Sequence, residues 1–414
     1  MATESRHSLV SPWLTVVGVG EDGADGLSPA ARAFISTAST VLGSTRHLEQ
    51  VAAILPMSAE ILLWTGLTRT LTTIKARRGQ QLVVLASGDP MLYGLGATLA
   101  HHFSTAEMLI VPHISAFSLA AARLGWPLQE VETLTVHGRP LESLILYIAS
   151  GVRLLVLSAD GETPGHAAAL LTAHGFGPSR MTVLEHIGGP AERHVSGYAD
   201  RWQQPRTADL NVLAIECRAT AGFRGWGRGA GLPDEAYRHD GQLTKREIRA
   251  VTLAALAPGP GELLWDIGAG AGSISIEWLR THPSTIAVAV EQDAARVTDI
   301  AMNATRLGVP DLQIVHNNAP DCLPYLPGPP AAVFVGGSVS APGMLETCWE
   351  ALRGEGRLVV NAVTIEAEAR LLAWHSQHGG TLVRLSVARL RPIGQLSAWN
   401  PLAPVMQYQG WKPA

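Results

Sequence analysis

A glycine-rich loop between a strand pattern and a helix pattern is the feature that most limits what this chain can fold into. The stretch LLWDIGAGAGSISIEW, residues 263–278, has an apolar run that ends at Asp266 and a helical pattern that begins at Ser273. The glycines between them permit a tight turn and let backbone groups come close to a ligand. Ligands of open α/β sheets bind at the carboxyl ends of strands, where this loop lies. The stretch therefore predicts an α/β domain with a cofactor loop.

The residues around this loop indicate which cofactor it binds. The next apolar run, IAVAV, ends at Glu291, where a carboxylate can accept hydrogen bonds from both hydroxyls of a ribose. Nicotinamide dinucleotides and S-adenosylmethionine both use such sites. Ser273 in place of the third dinucleotide glycine, and Asp266 where it can bind a charged amino group, favour the methyl donor. The stretch HNNAPDCL places Asn318 and Ala319 where an adenine ring would lie.

A second group of glycines, in VVGVGEDG near the N-terminus, also has dinucleotide-like spacing. The fingerprint requires a helix directly after the loop and an acid at the end of the next strand. Here the first good helix start is Ser28 followed by Pro29, and the next strand pattern ends at Gly43. This loop is therefore not interpreted as a dinucleotide site.

Composition excludes several classes of protein. The chain has 414 residues, which suggests two or three domains, and a net charge of −4, which gives no basic footprint for nucleic acid. No apolar run is long enough to span a membrane, and the N-terminal residues lack the pattern of a signal peptide. The three cysteines are far apart, which favours a reducing cytoplasm over a disulfide framework. We expect no metal site, since the adjacent His101 and His102 lack ligand spacing.

The order of patterns along the chain predicts two α/β domains. Strand and helix patterns alternate up to residue 218, and a Gly- and Arg-rich stretch without apolar periodicity, residues 219–241, is interpreted as a linker. The alternation then restarts over residues 242–414. Its two last strand candidates, TLVRLSVARL and APVMQYQGW, suit the antiparallel hairpin that ends the sheet of class I methyltransferases.

The second half of the chain resembles a family of corrin-ring methylases. The stretches LTKREIRAVTLAAL, DIGAGAGSISIEW, NNAPDCL, VFVGGS and LVVNAVTIE are together similar to the C-terminal half of the decarboxylating precorrin-6Y C5,15-methyltransferases of cobalamin biosynthesis. Asn318 stands where Asp is commoner in that family.

The first half resembles the tetrapyrrole methylases, and within them it resembles the domain that methylates C5 of the corrin ring. The stretch LASGDPMLYGLG carries the G-D-P signature, and VGVGEDG, VPHISAFSLAAARLGWP, VHGRP, VLSADGETPGHAAALL and LEHIGGPAERHVSG follow the same order, from about residue 13 to residue 218. His113 and Ala116 depart from the pattern, since Gly and Ser are usual at these positions.

The resemblance implies a fold and a function for each half. Residues 11–218 would form a tetrapyrrole-methylase fold, two α/β subdomains around a cleft, that methylates C5 of a precorrin. Residues 242–414 would form a class I Rossmann-like domain that methylates C15 and removes CO2 from the C12 acetate, giving precorrin-8. Each half would bind one S-adenosylmethionine. With the loop analysis, the expected cofactor contacts are Gly20, Gly88, Asp89, Pro90, Met91, Ser115, Ala116, Thr244, Asp266, Gly268, Ala269, Gly270, Ala271, Gly272, Glu291, Asn318 and Ala319.

A precorrin carries acetate and propionate groups that need cationic partners. The candidates are Arg139 in the first domain and Lys245, Arg246, Arg249 and Arg389 in the second. No catalytic residue is assigned, because a nucleophilic ring carbon and an activated sulfonium donor do not require a strong base. The expected partners are the precorrin substrate and further copies of the same chain, in a cytoplasmic homo-oligomer that binds neither nucleic acid nor membrane.

Other interpretations stay open on the residues alone. A nicotinamide-dependent reductase would use the loop from Gly268 to Gly272, and tight binding of NADH would favour it. A tetrapyrrole carrier without catalysis would use the glycines only as turns, and failure to bind any adenosyl ligand would favour that.

Overall fold

The computed structural model describes residues 12–223 and 225–414, and the chain divides into two compact units. The first unit contains the described residues up to Leu141 and residues 149–223, and the second contains Glu142–Ile148 and Gly225–Ala414. Residues 1–11, which bear on the signal-peptide prediction and on the predicted start of the first domain, lie outside the described residues. No helix among the described residues is both long and apolar enough to cross a membrane.

The first half of the first unit alternates strands and helices around a parallel sheet. Its elements are β1 (Leu14–Val19), α1 (Gly23–Gly26), α2 (Pro29–Ser36), β2 (Thr40–Gly43), α3 (Thr45–Gln50), β3 (Glu60–Leu63), α4 (Leu67–Ala76), β4 (Leu82–Ser87), α5 (Leu95–Ala100) and β5 (Met108–Val111). The strand order is β3-β2-β4-β1-β5. Leu14 and Val16 of β1 pack into one core, and Val17 and Val19 pack into the other. Apolar residues on both faces are typical of a parallel strand that is covered on both sides.

The second half of the first unit forms a mixed sheet. Its elements are α6 (Ala116–Leu124), β6 (Val131–Thr135), β7 (Arg153–Leu157), α7 (Thr163–Ala173), β8 (Arg180–Glu185), β9 (Arg193–Tyr198) and β10 (Asn211–Glu216). The strand order is β6-β7-β10-β8-β9, with only β6 and β7 parallel. The sequence patterns predict neither β3 nor β9. Both are edge strands with largely exposed side chains, so they lack the apolar signal that marks a buried strand.

The second unit is a seven-stranded sheet with helices on both faces. Its elements are α8 (Arg246–Leu256), β11 (Leu263–Ile267), α9 (Ser273–Thr281), β12 (Ile286–Glu291), α10 (Ala294–Arg306), β13 (Gln313–His316), β14 (Ala332–Val335), α11 (Met344–Ala351), β15 (Arg357–Ala362), α12 (Ile365–His378), β16 (Thr381–Leu385), β17 (Ala388–Ile393), β18 (Leu396–Pro401) and β19 (Val405–Trp411). The strand order is β13-β12-β11-β14-β15-β19-β16. Within this seven-stranded sheet, only the two strand pairs that include β19 are antiparallel. The predicted α/β class is confirmed in both units.

The C-terminal part of this sheet differs from the prediction in one respect. The stretch TLVRLSVARL, predicted as one strand, divides into β16 and β17. β17 pairs only with β18, in a separate two-stranded hairpin between β16 and β19. The predicted antiparallel end of the sheet is formed by β16 and β19, with this hairpin inserted between them.

The predicted linker is, from residue 225 onward, part of the second unit. Leu232, Ala236 and Tyr237 are buried in the core on one face of the sheet. The carboxylate of Glu277, on α9, accepts hydrogen bonds from the backbone N–H groups of Gly231 and Leu232 and from the Tyr237 hydroxyl. The segment is therefore fixed to the body of the unit.

Candidate cofactor and substrate sites

A cavity of about 370 Å³ lies at the carboxyl ends of the parallel strands of the second unit. This volume is in the range of small-molecule sites. The segment before α8 and the loops after β11, β12, β13, β14 and β15 contribute to it. The lining residues are Gly241, Gln242, Leu243, Thr244, Lys245, Ile248, Ile267, Gly268, Ala269, Gly270, Val290, Glu291, Gln292, Arg296, Asn317, Asn318, Ala319, Gly336, Gly337, Ser338, Asn361, Val363, Leu402, Ala403 and Val405.

The glycine loop has the conformation that its sequence predicts. Gly268 and Gly270 have φ values of 71° and 58°, a region that side chains other than glycine rarely adopt. A Cβ at Gly268 would lie 3.1 Å from the backbone nitrogen of Gly337, in the loop after β14. The N–H groups of Gly268 and Ala269 both donate to the carbonyl of Val290. The loop is thereby held against the two neighbouring strand ends.

Glu291 connects the glycine loop to the end of β12. It is 4% exposed, and its Oε2 accepts a hydrogen bond of 2.8 Å from the N–H of Gly270. Its Oε1 accepts from the N–H groups of Gln292 and Asp293 at 3.1 and 3.0 Å. A carboxylate with these fixed donors lies at the cavity wall in a defined orientation. Its contact with a ribose stays a prediction.

Asp266 does not line the cavity, although the sequence predicts that it binds the amino group of the cofactor. It is fully buried, and its Oδ2 accepts hydrogen bonds from the backbone N–H and the hydroxyl of Ser275. Burial raises the pKa of Asp266 to about 6. The side chain lies beneath the loop, at the first turn of α9.

The cavity brings together most of the other predicted residues of this half. Thr244, Gly268, Ala269, Gly270, Glu291, Asn318 and Ala319 all line it. Ala271 and Gly272 do not. Ala271 is 2% exposed in the core, and a Cβ on Gly272 would lie 2.8 Å from Cγ2 of Ile300. The last glycine of the loop therefore serves packing against α10.

Some residues that line the cavity are not among the site residues predicted from the sequence. Leu402, Ala403 and Val405 reach the cavity because β19 returns beside β15 after the inserted hairpin. Gly336 and Gly337 follow β14 in the stretch FVGGS, and this glycine pair was the available signal for a second close backbone approach.

The cationic candidates of the second unit fall into two groups. Arg249 is fully buried, and its guanidinium donates to Glu277, to the Thr244 carbonyl and to the Leu232 carbonyl. Arg389 is paired with Glu247 and Asp234. Arg249 has no exposed surface and holds protein segments together, which contradicts its predicted contact with a substrate carboxylate. Arg389 is partly exposed and does not line the cavity, and its contact with a substrate carboxylate stays a prediction.

The remaining candidates are Lys245, which directly precedes α8, and Arg246, its first residue. Lys245 lines the cavity. Arg246 is exposed but does not line the cavity, and its backbone N–H donates to Asp234. Lys245 is therefore the predicted cation that lines the cavity, and Arg296, which the sequence analysis did not single out, lines it as well.

In the first unit, the S-G-D-P loop lies against the loop that precedes α6. Gly88 has a φ of 52°, and its carbonyl accepts a hydrogen bond from the N–H of His113. A Cβ on Gly88 would lie 3.4 Å from the carbonyl oxygen of Ile114. Asp89 accepts from the N–H of Met91, and Ser115 caps α6 by accepting from the N–H of Ser118. The predicted residues 88–91 and 115–116 thus form two adjacent turns.

Gly20 lies close to His113, and its contact with a cofactor stays a prediction. A Cβ at this position would lie 2.7 Å from Cε1 of His113, and a Cβ at Gly18 would lie 2.0 Å from the Gly88 carbonyl oxygen. The space that the missing side chains leave is therefore filled by protein. His113, which departs from the family pattern, occupies it and lies 3.1 Å from the Gly26 carbonyl oxygen through Nε2.

An arginine lies near each end of the S-G-D-P loop. Arg139 is exposed, and its guanidinium carbon lies 5.5 Å from the centre of the Tyr93 ring. At the other end, Arg46 donates to the Ser87 hydroxyl at 2.8 Å and to Glu21 at 2.5 Å. Sequence reasoning missed Arg46, whose only signal was its position one residue after the start of the helix that follows β2.

Two family models match the chain, one in each half. The model described as tetrapyrrole (corrin/porphyrin) methylases matches residues 13–201, and the model described as precorrin methyltransferase domain matches residues 235–412. A protein named "precorrin-6Y C(5,15)-methyltransferase (decarboxylating)", from Sinorhizobium sp, is 47% identical over 410 residues, 99% of this chain and 99% of that protein. The chain belongs to the family of decarboxylating precorrin-6Y C5,15-methyltransferases.

Two further relatives of this chain are shorter proteins, and each of them matches one half of it. A "cobalt-precorrin-7 C(5)-methyltransferase" of Salmonella typhimurium is 34% identical over 180 residues, 44% of this chain and 88% of that protein. A "probable cobalt-precorrin-6B C(15)-methyltransferase (decarboxylating)" of Pyrobaculum aerophilum is 32% identical over 182 residues, 42% of this chain and 92% of that protein. The two activities in the name of the long relative thus occur as separate proteins elsewhere.

Proposed function

We propose that the protein methylates C5 and C15 of a precorrin with S-adenosylmethionine and removes CO2 from the C12 acetate, giving precorrin-8. The first unit is the C5 methylase, and the second is the C15 methylase and decarboxylase. The match to the relative from Sinorhizobium over nearly the whole of both chains is the observation that carries this proposal.

The second unit contains a donor set that fits S-adenosylmethionine. Glu291 lies where it can accept from ribose hydroxyls, and the backbone of residues 268–270 is open to the cavity. Asn318 and Ala319 lie at the neighbouring strand end for the adenine ring. The bound cofactor supplies a methyl group on a sulfonium, which is already activated for transfer.

The protein's contribution to methylation is alignment. A carbon nucleophile, a methyl group and a sulfur atom must be brought into line and shielded from water. The fixed loop and the strand-end position of Glu291 orient the donor, while Gly337, where a Cβ would lie 3.9 Å from the nearest atom, leaves room for a wide substrate beside it. Side-chain bases are not needed for this step.

In the first unit we assign the cofactor to the two adjacent turns, residues 88–91 and 115–116. Arg139 remains the candidate for a substrate carboxylate there, and Met91, Leu92 and Tyr93 are exposed apolar side chains on the same loop. An apolar face beside a cation suits a flat macrocycle with carboxylates at its periphery. Homo-oligomer formation and a cytoplasmic location stay predictions of the sequence.

Calorimetric titration with S-adenosylhomocysteine tests the two-site arrangement. We expect two sites per chain, and one site after Glu291→Ala, because the second unit loses its ribose contacts. Glu368→Ala, which removes an exposed ion pair on α12, is the control and should keep both sites. One site in the wild-type protein, lost on Glu291→Ala, would contradict the proposal.

A further inference from the structure

A chain of buried amide and hydroxyl groups runs beneath the cavity of the second unit. Gln409 Nε2 donates to Gln407 Oε1 at 2.9 Å. Gln407 Nε2 donates to Asn361 Oδ1 and to Thr252 Oγ1, both at 3.0 Å. Asn361 Nδ2 donates to the same Thr252 oxygen at 3.0 Å. The chain thus connects β19, β15 and α8.

The direction of every hydrogen bond in this chain is fixed. The Thr252 hydroxyl donates to the Ile248 carbonyl, so its oxygen can only accept from the two amides. Gln407 uses both of its N–H groups as donors. Asn361 therefore cannot rotate its amide by half a turn without losing both bonds. It keeps one N–H group and one lone pair of Oδ1 outside the chain.

Packing alone does not explain this arrangement. Gln407 and Thr252 are fully buried, and Asn361 interrupts the apolar strand β15, where Val360 and Ala362 are buried. Buried polar groups are costly unless all of them are bonded, and apolar residues would fill the same space more simply. The chain is satisfied at every inner position and ends on Asn361, which lines the cavity.

Asn361 lies at the end of the cavity that the cofactor loop does not occupy. Two strand spacings separate β15 from β11, a distance of about 10 Å. Val363, directly after β15, and Val405, the first residue of β19, also line the cavity and are apolar. The charged lining residues, Lys245, Glu291 and Arg296, belong to other elements of the wall.

We propose that Asn361 binds the acetate that the substrate loses, through its remaining N–H group, and that Gln407 is the residue that positions it. This inference rests on the proposed function of the second unit. In the reaction, the bond between the acetate methylene and its carboxylate breaks, and CO2 leaves. The electron pair remains on the methylene, delocalised into the macrocycle, and a proton from water completes a methyl group.

A neutral donor suits this reaction better than a cation does. The carboxylate loses its charge as CO2 forms, so a strong ion pair would stabilise the starting state more than the transition state. An amide N–H orients the group with little such penalty, and apolar neighbours keep water away from it. Asn361 provides such an amide, and Val363 and Val405 are apolar residues of the same cavity wall.

Product analysis of Asn361→Ala tests the assignment, with C15 methylation by the same unit as the internal control. We expect CO2 release to fall at least about tenfold, the effect of losing a hydrogen bond to a charged group. C15 methylation and binding of two S-adenosylhomocysteine molecules should stay unchanged. Asn361→Asp, which replaces the N–H group by a second oxygen, should lose CO2 release as well. Asn400→Asp, exposed on β18, should not.

Gln407→Glu tests the positioning role. The new carboxylate cannot donate to Asn361, so the amide loses its fixed direction. We expect kcat for CO2 release to fall, while KM for S-adenosylmethionine and C15 methylation stay unchanged. Gln313→Glu, exposed on β13, is the matched control.

Three outcomes would decide against the inference. Unchanged CO2 release in Asn361→Ala would overturn it. Loss of cofactor binding in the second unit of that variant would also overturn it, because Asn361 would then support the cofactor. Equal loss of C15 methylation in Gln407→Glu would show a general structural defect of the second unit and overturn the positioning role. A wild-type protein that releases no CO2 would instead contradict the proposed function itself.

Discussion

His47 is a buried histidine beside the S-G-D-P loop of the first unit. Its Nε2 lies 2.9 Å from the Ser87 hydroxyl and 3.2 Å from a guanidinium nitrogen of Arg46. Burial, together with the Arg46 charge, lowers the pKa of His47 to about 4. The folded protein therefore keeps this ring neutral at a pH where the unfolded chain protonates it.

The stability of the first unit should accordingly depend on His47 in weak acid. The stabilisation is complete above the unfolded pKa of 6.5 and is lost as pH falls toward 4, by about 3 kcal/mol in total. His47→Gln should flatten this dependence. Labelling of buried Cys217 with dithiodipyridine in urea measures it, with exposed His194→Gln as control. An unchanged slope in His47→Gln would refute the assignment.

Asp266 has the opposite pH dependence. Because the pKa of Asp266 is raised to about 6, its protonated form stabilises the folded state. This contribution to the free energy of unfolding is complete below the ordinary pKa of 3.8 and is lost as pH rises through 6. Asp266→Asn should remove a destabilisation of about 3 kcal/mol at neutral pH while keeping an acceptor for Ser275. Labelling of Cys348, which is fully buried in the second unit, reports this change in urea. Asp311→Asn, on the loop before β13, should leave the labelling midpoint unchanged.

At the residue scale, the sequence predicts which residue types stand at which spacing better than it predicts where their side chains point. Glu291 and Asp266 are both acids at the ends of neighbouring strands, yet only Glu291 reaches the cavity wall. The difference arises because Ser275 at the first turn of α9 binds Asp266 from below. Likewise, Arg249 was indistinguishable from a substrate contact until its partners Glu277 and Thr244 were known. Such choices depend on tertiary neighbours that spacing does not reveal.

At the element scale, the segment before α8 is where sequence reasoning failed most clearly. Residues 225–241 carry many glycines and no apolar period, which is typical of a linker. Their buried residues Leu232, Ala236 and Tyr237 are too irregularly spaced for either a helix or a strand pattern. The segment is held by the Glu277 carboxylate, and that partner lies 40 residues or more further along the chain. By contrast, β11, α9 and β12 carried strong local signals and were predicted.

Glu277→Gln should therefore destabilise the second unit strongly. The change leaves the buried guanidinium of Arg249 without its closest counter-ion and weakens the bonds that hold the segment. Loss of one partner from a buried ion pair costs about 3–5 kcal/mol. The midpoint of Cys348 labelling in urea measures this. Glu368→Gln, in the exposed pair with Arg384, should cost less than about 1 kcal/mol. Equal effects of the two variants would refute the role of the segment.

At the scale of the whole molecule, the two proposed methyl-donor sites should be separable by mutation. Gly270→Val forces a branched side chain into a positive φ and toward the Gln242 carbonyl, 3.0 Å from the new Cβ. We expect neither C15 methylation nor loss of CO2, while the first unit still binds S-adenosylhomocysteine. Mass spectrometry of the product tests the first expectation, and calorimetric titration distinguishes it from general inactivation.

The complementary change is in the first unit. Gly88→Val, at a φ of 52°, should abolish C5 methylation while the second unit keeps its cofactor. Gly165→Ala is the control, because a Cβ at this helical position meets no atom within 4 Å. If either valine variant lost both S-adenosylhomocysteine sites, the two sites would not be independent.

The position of β19 has a consequence for synthesis of the protein on the ribosome. β19 lies between β15 and β16 in the sheet, although both of those strands are translated before it. A nascent chain that has emerged only as far as β18 exposes two unpaired strand edges, which are templates for association with other chains. The hydrogen bond that Asn361 accepts from Gln407 also forms only when β19 is present, because Gln407 belongs to β19. The insertion of β19 between β15 and β16, late in synthesis, therefore both covers these strand edges and completes the proposed acetate site.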